Sequence, residues 1–394
     1  MPTGVAAPPS SPPSADEVLQ LLRVVVDPEL GSDIVDLGMA KSAHVDADGK
    51  VVVTLALTTA GCPLRAQLQS DVKARVGSAP GVSDVRIEWT EMTPEEKATA
   101  MARARWNAKE QAPATAVPAA TRVVAVSSGK GGVGKSSVTV NLAVALALEG
   151  HAVGVLDADI GGFSVPRMLG VEGRLAGAEG ERKIVPHVKP VGRGRLEIVS
   201  MGLLAEREDA ALMWRGLMQN RALQHFLEDV RWGELDYLFV DMPPGTGDVQ
   251  MGLARMLPRA EVLIVTTPAL AAQRVAARAA DMARKTYLRV AGIVENMSSF
   301  TCEHGTTYAL FGEGGGAALA AEVGVPLLAS IPLEPSVTAG GDAGQPVALG
   351  EGAAGDAFRA LARRVAEEAL APIDRAGCSA RILEQVEAAL GPKP

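Results

Sequence analysis

The sequence predicts an α/β protein in which a mostly parallel sheet is flanked by helices, preceded by a small α+β domain. Short apolar runs alternate with helical stretches through residues 121–372, which is typical of parallel strands joined by helices. Residues 111–120 are rich in Pro and Ala, a linker composition. A length of 394 residues also favours two domains over one.

The first module carries the local signals of a small domain. Ser14 and Glu17 form a capping-box pattern that opens a helix with Val18 and Leu22 on its apolar face. Residues 46–49 read Asp-Ala-Asp-Gly, a hairpin signal between two strand-like runs. We therefore expect strands at 39–45, 51–58 and 82–89, and a helix at 64–76.

Composition divides the chain further. The Pro-, Ala- and Ser-rich opening has no basic or apolar leader pattern and predicts a disordered tail. We expect a tail at 1–13, the α+β domain at 14–92, a helical and Pro/Ala-rich linker at 93–120, the α/β domain at 121–372 and a C-terminal tail at 373–394.

The α/β domain keeps its alternation except in one stretch. Residues 171–235 contain Gly, Arg and short extended pieces, and we expect this excursion to shape a dimer or partner surface. Strands are expected at 122–127, 152–156, 237–241, 262–266, 291–295 and 327–331.

Charge and cysteine content exclude several function classes. The net charge of −8 provides no overall basic footprint, so a nucleic-acid partner is not expected. No uninterrupted apolar run has the length of a bilayer span, so no membrane association is expected. Three cysteines exclude a disulfide framework and suit a reducing cytoplasm.

A glycine-rich loop supplies the strongest functional signal. Residues 129–136 read Gly-Lys-Gly-Gly-Val-Gly-Lys-Ser, between an apolar strand and a helical stretch. In that context backbone N–H groups surround phosphate oxygens, Lys135 reaches the β/γ-phosphates and the Ser136 hydroxyl holds Mg²⁺. The alternative, a glycine-rich turn with an incidental lysine, does not explain the flanking strand and helix. The residues predicted to bind ATP here are Gly129, Lys130, Gly131, Gly132, Val133, Gly134, Lys135, Ser136 and Ser137.

The second lysine, Lys130, resembles the "deviant" Walker A loop of the family that includes MinD, ParA, ArsA, the nitrogenase iron protein and the Mrp/ApbC scaffolds. This resemblance implies that Lys130 reaches the phosphates of a partner subunit, so that hydrolysis requires a homodimer. A cation supplied in this way stabilises charge on the transferring phosphoryl oxygens.

Three aspartates complete the predicted nucleotide site. Asp157 and Asp241 each end an apolar strand, where α/β sheets bind ligands, and Asp159 follows closely. Asp241 is placed like a Walker B aspartate near Mg²⁺. Asp159 resembles the family's switch aspartate that orients the attacking water, and Asp157 supports the metal side. The catalytic residues predicted are Lys130, Lys135, Asp159 and Asp241, and the Mg²⁺ residues are Ser136, Asp157 and Asp241.

Further motifs resemble the Mrp/ApbC iron–sulfur cluster carriers. Residues 294–298 read Val-Glu-Asn-Met-Ser, 311–316 read Phe-Gly-Glu-Gly-Gly-Gly, and 241–248 read Asp-Met-Pro-Pro-Gly-Thr-Gly-Asp. In the first domain, residues 26–30 and 58–63 resemble the small SufT-type domain of iron–sulfur assembly proteins. The resemblance implies an ATPase that passes clusters to apoproteins.

One departure from that family concerns the cluster ligands. The family has a Cys-x-x-Cys, whereas residues 302–305 read Cys-Glu-His-Gly, so the second cysteine is missing. The resemblance implies Cys302 as a ligand. His304 is a candidate substitute, because imidazole binds iron, and Cys62 is another candidate. Structural alternatives are a buried apolar cysteine and a solvated histidine.

Two residues resemble those that hold the base in this family. Asn296 matches the asparagine that recognises adenine, and an amide both donates and accepts hydrogen bonds. Pro332 lies where family members close the base pocket. The alternative for Asn296 is a cap at the end of its strand.

Taken together, the sequence predicts a cytoplasmic, homodimeric ATPase that binds an iron–sulfur cluster and passes it between an assembly scaffold and apo client proteins. Two other hypotheses are a positioning ATPase of the ParA/MinD kind and an adaptor ATPase that holds no metal. Against the first, the amphipathic segment 380–390 has almost no basic residues for an anionic membrane.

Overall fold

The computed structural model describes residues 11–27, 30–58, 65–110, 113–159, 161–178, 183–204 and 216–370. Two compact units divide at residues 112 and 113. The expected tails fall almost wholly outside these ranges, as do Cys62 and segment 380–390. None of the helices within the described ranges has the length and apolar character needed to cross a bilayer.

The first unit packs helices on a three-stranded sheet of order β1-β2-β3. Strands β1 and β2 pair as the predicted hairpin, and β2 and β3 are parallel. The first helix has the capping box that Ser14 and Glu17 predict. The elements are α1 (Ala15–Leu22), β1 (Ala40–Val45), β2 (Lys50–Leu57), α2 (Arg65–Gly77), β3 (Asp84–Glu91) and α3 (Pro94–Glu110).

The structure divides the predicted linker 93–120 between the two units. Helix α3 belongs to the first unit, where Arg103 donates to Asp36 at 2.8 Å. That contact holds the pKa of the Asp36 carboxyl below its usual value. Val117, by contrast, is buried in the core of the second unit. The charged, alanine-rich composition predicted helix α3 correctly, but Asp36, the residue that α3 contacts, lies far away in the sequence.

The second unit is built on an eight-stranded sheet of order β15-β12-β11-β4-β10-β5-β9-β8, with helices around it. Every pairing in this sheet is parallel except the one between β8 and β9. Its strands are β4 (Arg122–Ser128), β5 (Ala152–Asp157), β8 (His187–Val191), β9 (Gly194–Ser200), β10 (Tyr237–Asp241), β11 (Glu261–Thr266), β12 (Arg289–Glu295) and β15 (Leu327–Ser330), with short ribbons β6 (Ala176–Gly177), β7 (Ile184–Val185), β13 (Phe300–Thr301) and β14 (Thr307–Tyr308). Its helices are α4 (Lys135–Leu148), α5 (Val165–Met168), α6 (Gly216–Glu228), α7 (Asp248–Met256), α8 (Leu270–Lys285), α9 (Gly315–Val323), α10 (Pro335–Asp342) and α11 (Ala353–Arg364), with 3₁₀ turns at Met201–Leu203 and Val347–Leu349 and a π-helical turn at Val365–Ala369.

The fold confirms the mostly parallel α/β prediction and corrects one part of it. The excursion expected over 171–235 contains β8 and β9, which extend the main sheet beyond β5. Strand β8 lies at the edge of the sheet and alternates exposed with buried residues, so it lacks the continuous apolar run by which buried strands are recognised. Strand β9 is paired on both sides, but Arg195 and Glu197 interrupt its apolar residues.

Helix α4 lies in the centre of the core. Eleven of its residues are buried, from Lys135 to Ala147, and most are Val, Leu and Ala. Helix α11 packs on α4 and contributes Phe358, which is fully buried. Because α4 begins at the glycine-rich loop, core packing fixes the direction of the helix that leaves the loop.

We expect Phe358→Ala to lower the free energy of unfolding of the second unit by about 3–5 kcal/mol, because it leaves a cavity beside α4. Denaturant unfolding followed by circular dichroism measures the change. The matched control is Phe311→Ala, whose side chain is 43% exposed and should cost within about 0.5 kcal/mol. Equal losses in the two variants would contradict this account of the core.

Candidate functional site

The glycine-rich loop joins β4 to α4 at the carboxyl edge of the sheet. Gly134 precedes the helix with a φ of 79°, and no side chain caps the first helical turn. The N–H groups of that turn are therefore free of side-chain caps and available to an anion, and the helix dipole favours negative charge there.

Close packing explains two glycines of the loop. A Cβ at position 129 would lie 2.2 Å from the backbone carbonyl carbon of Val275 in α8. A Cβ at position 134 would lie 2.1 Å from the side-chain nitrogen of Asn296. The neighbouring elements therefore hold the loop in one shape, before any ligand is considered.

Lys135 lies among carboxylates and is itself buried. Its Nζ is 2.7 Å from Oδ2 of Asp241 and 3.8 Å from Oδ2 of Asp159. The Ser136 hydroxyl donates to the same Oδ2 of Asp241 at 2.6 Å. The predicted residues of the loop and of the strand β10 thus meet in one cluster.

Asp157 and Asp241 lie opposite each other in register on the adjacent parallel strands β5 and β10, and both are fully buried. Burial, with the neighbouring charge of Asp241, raises the pKa of Asp157 to about 7. Burial also raises the pKa of Asp159. One lysine faces three carboxylates here, and the raised pKa of Asp157 means that protonation relieves part of the excess negative charge near neutral pH.

This donor set fits Mg²⁺. The Ser136 hydroxyl and the Asp241 carboxylate converge, and Mg²⁺ prefers oxygen ligands. The carboxylate of Asp157 instead accepts hydrogen bonds from its own loop, at the N–H groups of Asp159, Ser164 and Val165. Its role on the metal side stays a prediction, and its visible contacts shape the loop that carries Asp159.

Two hydroxyl groups at this site were not predicted from the sequence. Thr139 donates to Oδ1 of Asp241 at 2.7 Å, and Ser200 donates to Oδ2 of Asp157 at 3.1 Å. Thr139 follows Lys135 by one helical turn, so its spacing could have indicated the contact. Ser200 ends β9, and without that strand in the prediction no signal pointed to it.

The other predicted nucleotide residues lie in different surroundings. Lys130 is exposed, and its action on a partner subunit stays a prediction. Asn296 is buried, and its side-chain N–H donates to the Val133 carbonyl at 2.9 Å. Pro332 is half-buried and directly follows Ile331, whose carbonyl accepts from the N–H of Ser298. Contact of Asn296 and Pro332 with a base stays a prediction.

Cys302 lies at the turn of a short hairpin formed by β13 and β14, residues 300–308, called here the cysteine hairpin. Its N–H donates to the Thr306 carbonyl at 2.9 Å. Hydrogen bonding from the backbone N–H of His304 lowers the pKa of the Cys302 thiol below its usual value. A lowered pKa favours the thiolate, which is the metal-binding form.

His304 lies in the same turn with its side chain 80% exposed. In the described part of the chain, no three His, Cys, Asp or Glu side chains come together as a metal site. One copy of the hairpin therefore brings Cys302 and His304 to the surface without a complete ligand set.

The loop, its lysine and the aspartates at the sheet edge define the second unit as a P-loop NTPase. The family described as NUBPL iron-transfer P-loop NTPase matches residues 119–366, and the family described as iron-sulfur cluster assembly protein matches residues 15–89. The chain belongs to the iron-transfer P-loop NTPases and carries the assembly-protein domain before that unit. These matches confirm the resemblance drawn from the sequence.

Named relatives agree with this family assignment. An iron-sulfur cluster carrier protein of Mycobacterium bovis is 45% identical over 335 residues, covering 83% of this chain and 86% of the relative. One of Deinococcus radiodurans is 45% identical over 354 residues, covering 89% and 94%. A nucleotide-binding protein from Archaeoglobus fulgidus, solved in complex with ADP, is 33% identical with a TM-score of 0.50, covering 64% of this chain and 96% of that one.

We expect Thr139→Val to raise the Mg²⁺ concentration needed for half-maximal nucleotide binding about tenfold, because Asp241 loses the hydroxyl that orients it. Titration of Mg²⁺ against a fluorescent ADP analogue measures the effect. Thr121→Val is the matched control, since this buried hydroxyl bonds to the Leu235 carbonyl away from the site. An unchanged Mg²⁺ midpoint in Thr139→Val would rule out this role.

Proposed function

We propose that this chain is an iron–sulfur cluster carrier that hydrolyses ATP as a homodimer and passes clusters to apo client proteins. The observation that supports it best is a physical connection: the segment leaving β12 touches the phosphate loop through Asn296 and then forms the cysteine hairpin. A nucleotide site and a cargo site on one continuous segment suit a carrier that is controlled by ATP.

On the nucleotide side, Lys135 would exchange its contact with Asp241 for the β/γ-phosphates. That exchange would free the Asp241 carboxylate and the Ser136 hydroxyl to hold Mg²⁺, which supplies charge neutralisation at the phosphates. Asp159, half-buried on the adjoining loop, would orient the attacking water. The exposed Lys130 would reach the phosphates of the partner subunit.

On the cargo side, the Cys302 thiolate is the proposed cluster ligand. Two copies of the chain would offer two Cys302 thiolates and two His304 imidazoles, a mixed donor set of the kind that Rieske-type centres use. Cys62, in the sequence of the first domain, is proposed to take part in ligation or transfer. The partners proposed are a second copy, an assembly scaffold and apo clients in the cytoplasm.

The membership in the iron-transfer family argues against a positioning ATPase of the ParA/MinD kind. An adaptor that holds no metal is the remaining competitor. Iron and acid-labile sulfide content after anaerobic reconstitution decides between the carrier and the adaptor, because only the carrier retains both.

We expect Lys135→Ala to abolish detectable ATP binding, because in the described structure no other lysine of the loop lies beside Asp241. Lys130→Ala should keep ATP binding and lose hydrolysis about 10²–10³-fold, since its proposed contact forms in the closed dimer. Calorimetry measures binding and phosphate release measures hydrolysis. Lys285→Ala, at an exposed lysine of α8, should change neither.

Hydrolysis at the parental rate in Lys130→Ala would remove the mechanism in which one subunit completes the site of the other. A separate outcome, loss of binding in Lys130→Ala, would place Lys130 at the phosphates of its own subunit.

We expect Cys302→Ala to lose the visible absorption of a reconstituted cluster while ATP binding survives, because Lys135 and Asp241 lie outside the cysteine hairpin. His304→Ala should shift or weaken that absorption if imidazole completes the site. Cys62→Ala should do so if the first domain supplies the ligand, and Cys378→Ala serves as the cysteine control. A full iron and sulfide complement in Cys302→Ala would exclude the hairpin as the cargo site.

A further inference from the structure

A buried carboxylate that has no part in the predicted site lies between the phosphate loop and the cysteine hairpin. Glu295 is the last residue of β12 and is 5% exposed. Its Oε2 accepts the backbone N–H of Gly316, in the first turn of α9, at 2.5 Å. Its Oε1 accepts the Ser330 hydroxyl of β15 at 3.2 Å.

The contact between Glu295 and Gly316 joins the two ends of one chain segment. The chain leaves β12 after Glu295, forms the cysteine hairpin, and returns to the Glu295 carboxylate at Gly316. We call residues 296–315 the cysteine segment. Glu295 therefore anchors both ends of the cysteine segment at one point of the sheet.

The same point is in contact with the phosphate loop. Asn296, the next residue, donates from its backbone N–H to the Thr266 carbonyl at 2.8 Å and from its side chain to the Val133 carbonyl at 2.9 Å. Met297 follows with a φ of 56°, an uncommon conformation for a residue with a long side chain. The backbone after Asn296 therefore has few other conformations with which to compensate for a change in the Asn296–Val133 contact.

The far end of the cysteine segment is equally constrained. A Cβ at position 316 would lie 2.6 Å from Cβ of Glu295, and a Cβ at position 315 would lie 2.3 Å from the Pro268 carbonyl oxygen. Helix α9 thus begins directly against the carboxylate. A displacement at Asn296 passes through the peptide bond to Glu295 and then through its carboxylate to Gly316.

We propose that Glu295 is a positioning residue that couples the nucleotide state of the phosphate loop to the position and reactivity of Cys302. The proposal rests on the nucleotide-binding part of the proposed function and does not require that a cluster is carried. A nucleotide that changes the Val133–Asn296 contact shifts the cysteine segment as a unit, because Glu295 holds its two ends together. Without the carboxylate, the ends separate and the hairpin no longer follows the loop.

The test measures thiol reactivity in the full-length, cluster-free chain with Cys62→Ser and Cys378→Ser, so that Cys302 is the sole thiol. The rate of alkylation by iodoacetamide is measured with and without ATP and Mg²⁺. The parent should show a ratio of about fivefold or more between the two states, in either direction, the lower end of ordinary coupling between sites. A ratio of one in the parent, with ATP shown to bind, overturns the proposal.

Glu295→Ala should bring that ratio close to one while ATP still binds. Glu295→Gln should keep most of it, because the amide oxygen can accept from Gly316 and the amide N–H can donate to Ser330. The matched control is Glu197→Ala. Glu197 is 4% exposed and accepts the backbone N–H of Gly233 at 2.8 Å, so its loss lowers stability without touching the cysteine segment.

If Glu295→Ala does not fold, Gly316→Ala replaces it, because the added Cβ separates α9 from the carboxylate. The proposal fails if Glu295→Ala or Gly316→Ala keeps the parental ratio, or if Glu197→Ala loses it as fully as they do. Iron and sulfide content is measured separately, so loss of cargo binding with an intact ratio would count against the carrier function alone.

Discussion

The buried carboxylate of Asp241 is the interaction on which the second unit depends most. It lies at the end of β10, in the middle of the sheet, and its oxygens accept from Lys135, Ser136 and Thr139. Burying a charge without such partners would cost free energy. These hydrogen bonds therefore fix the position of α4 relative to β10. The loop between them is held by the same contacts.

The carboxylate cluster also explains why this edge of the sheet suits a cation and phosphates together. Asp157 and Asp241 lie opposite each other on adjacent parallel strands. The strand register therefore keeps the two carboxylates close together. A divalent cation held by Ser136 and Asp241 would reduce the repulsion, and the loop with Lys135 and the helix N-terminus would bind phosphates beside it. The electrostatics of the carboxylate cluster and the chemistry proposed for it therefore have the same origin.

Much of this arrangement could be predicted from residues that are close in sequence. The loop, its lysine and the strand-terminal aspartates are local patterns, and the fold places them together because parallel strands end at one edge. Strands β8 and β9 could not be found in this way, since β8 is an edge strand and Arg195 and Glu197 interrupt the apolar residues of β9. Contacts such as Ser200–Asp157, Arg103–Asp36 and Glu295–Gly316 join residues distant in sequence, and single-chain patterns contain no information on such pairs.

The packing of Gly129 under α8 distinguishes a glycine that the fold requires from one that only nucleotide binding would require. No residue with a Cβ fits at position 129 without moving the backbone of α8, whereas the space around position 131 is open. A population of variants maintained only for its ability to fold would therefore keep the first glycine and lose the second. Descendants that had given up nucleotides altogether would still carry glycine at 129, so that residue by itself records the history of the fold and says little about present activity.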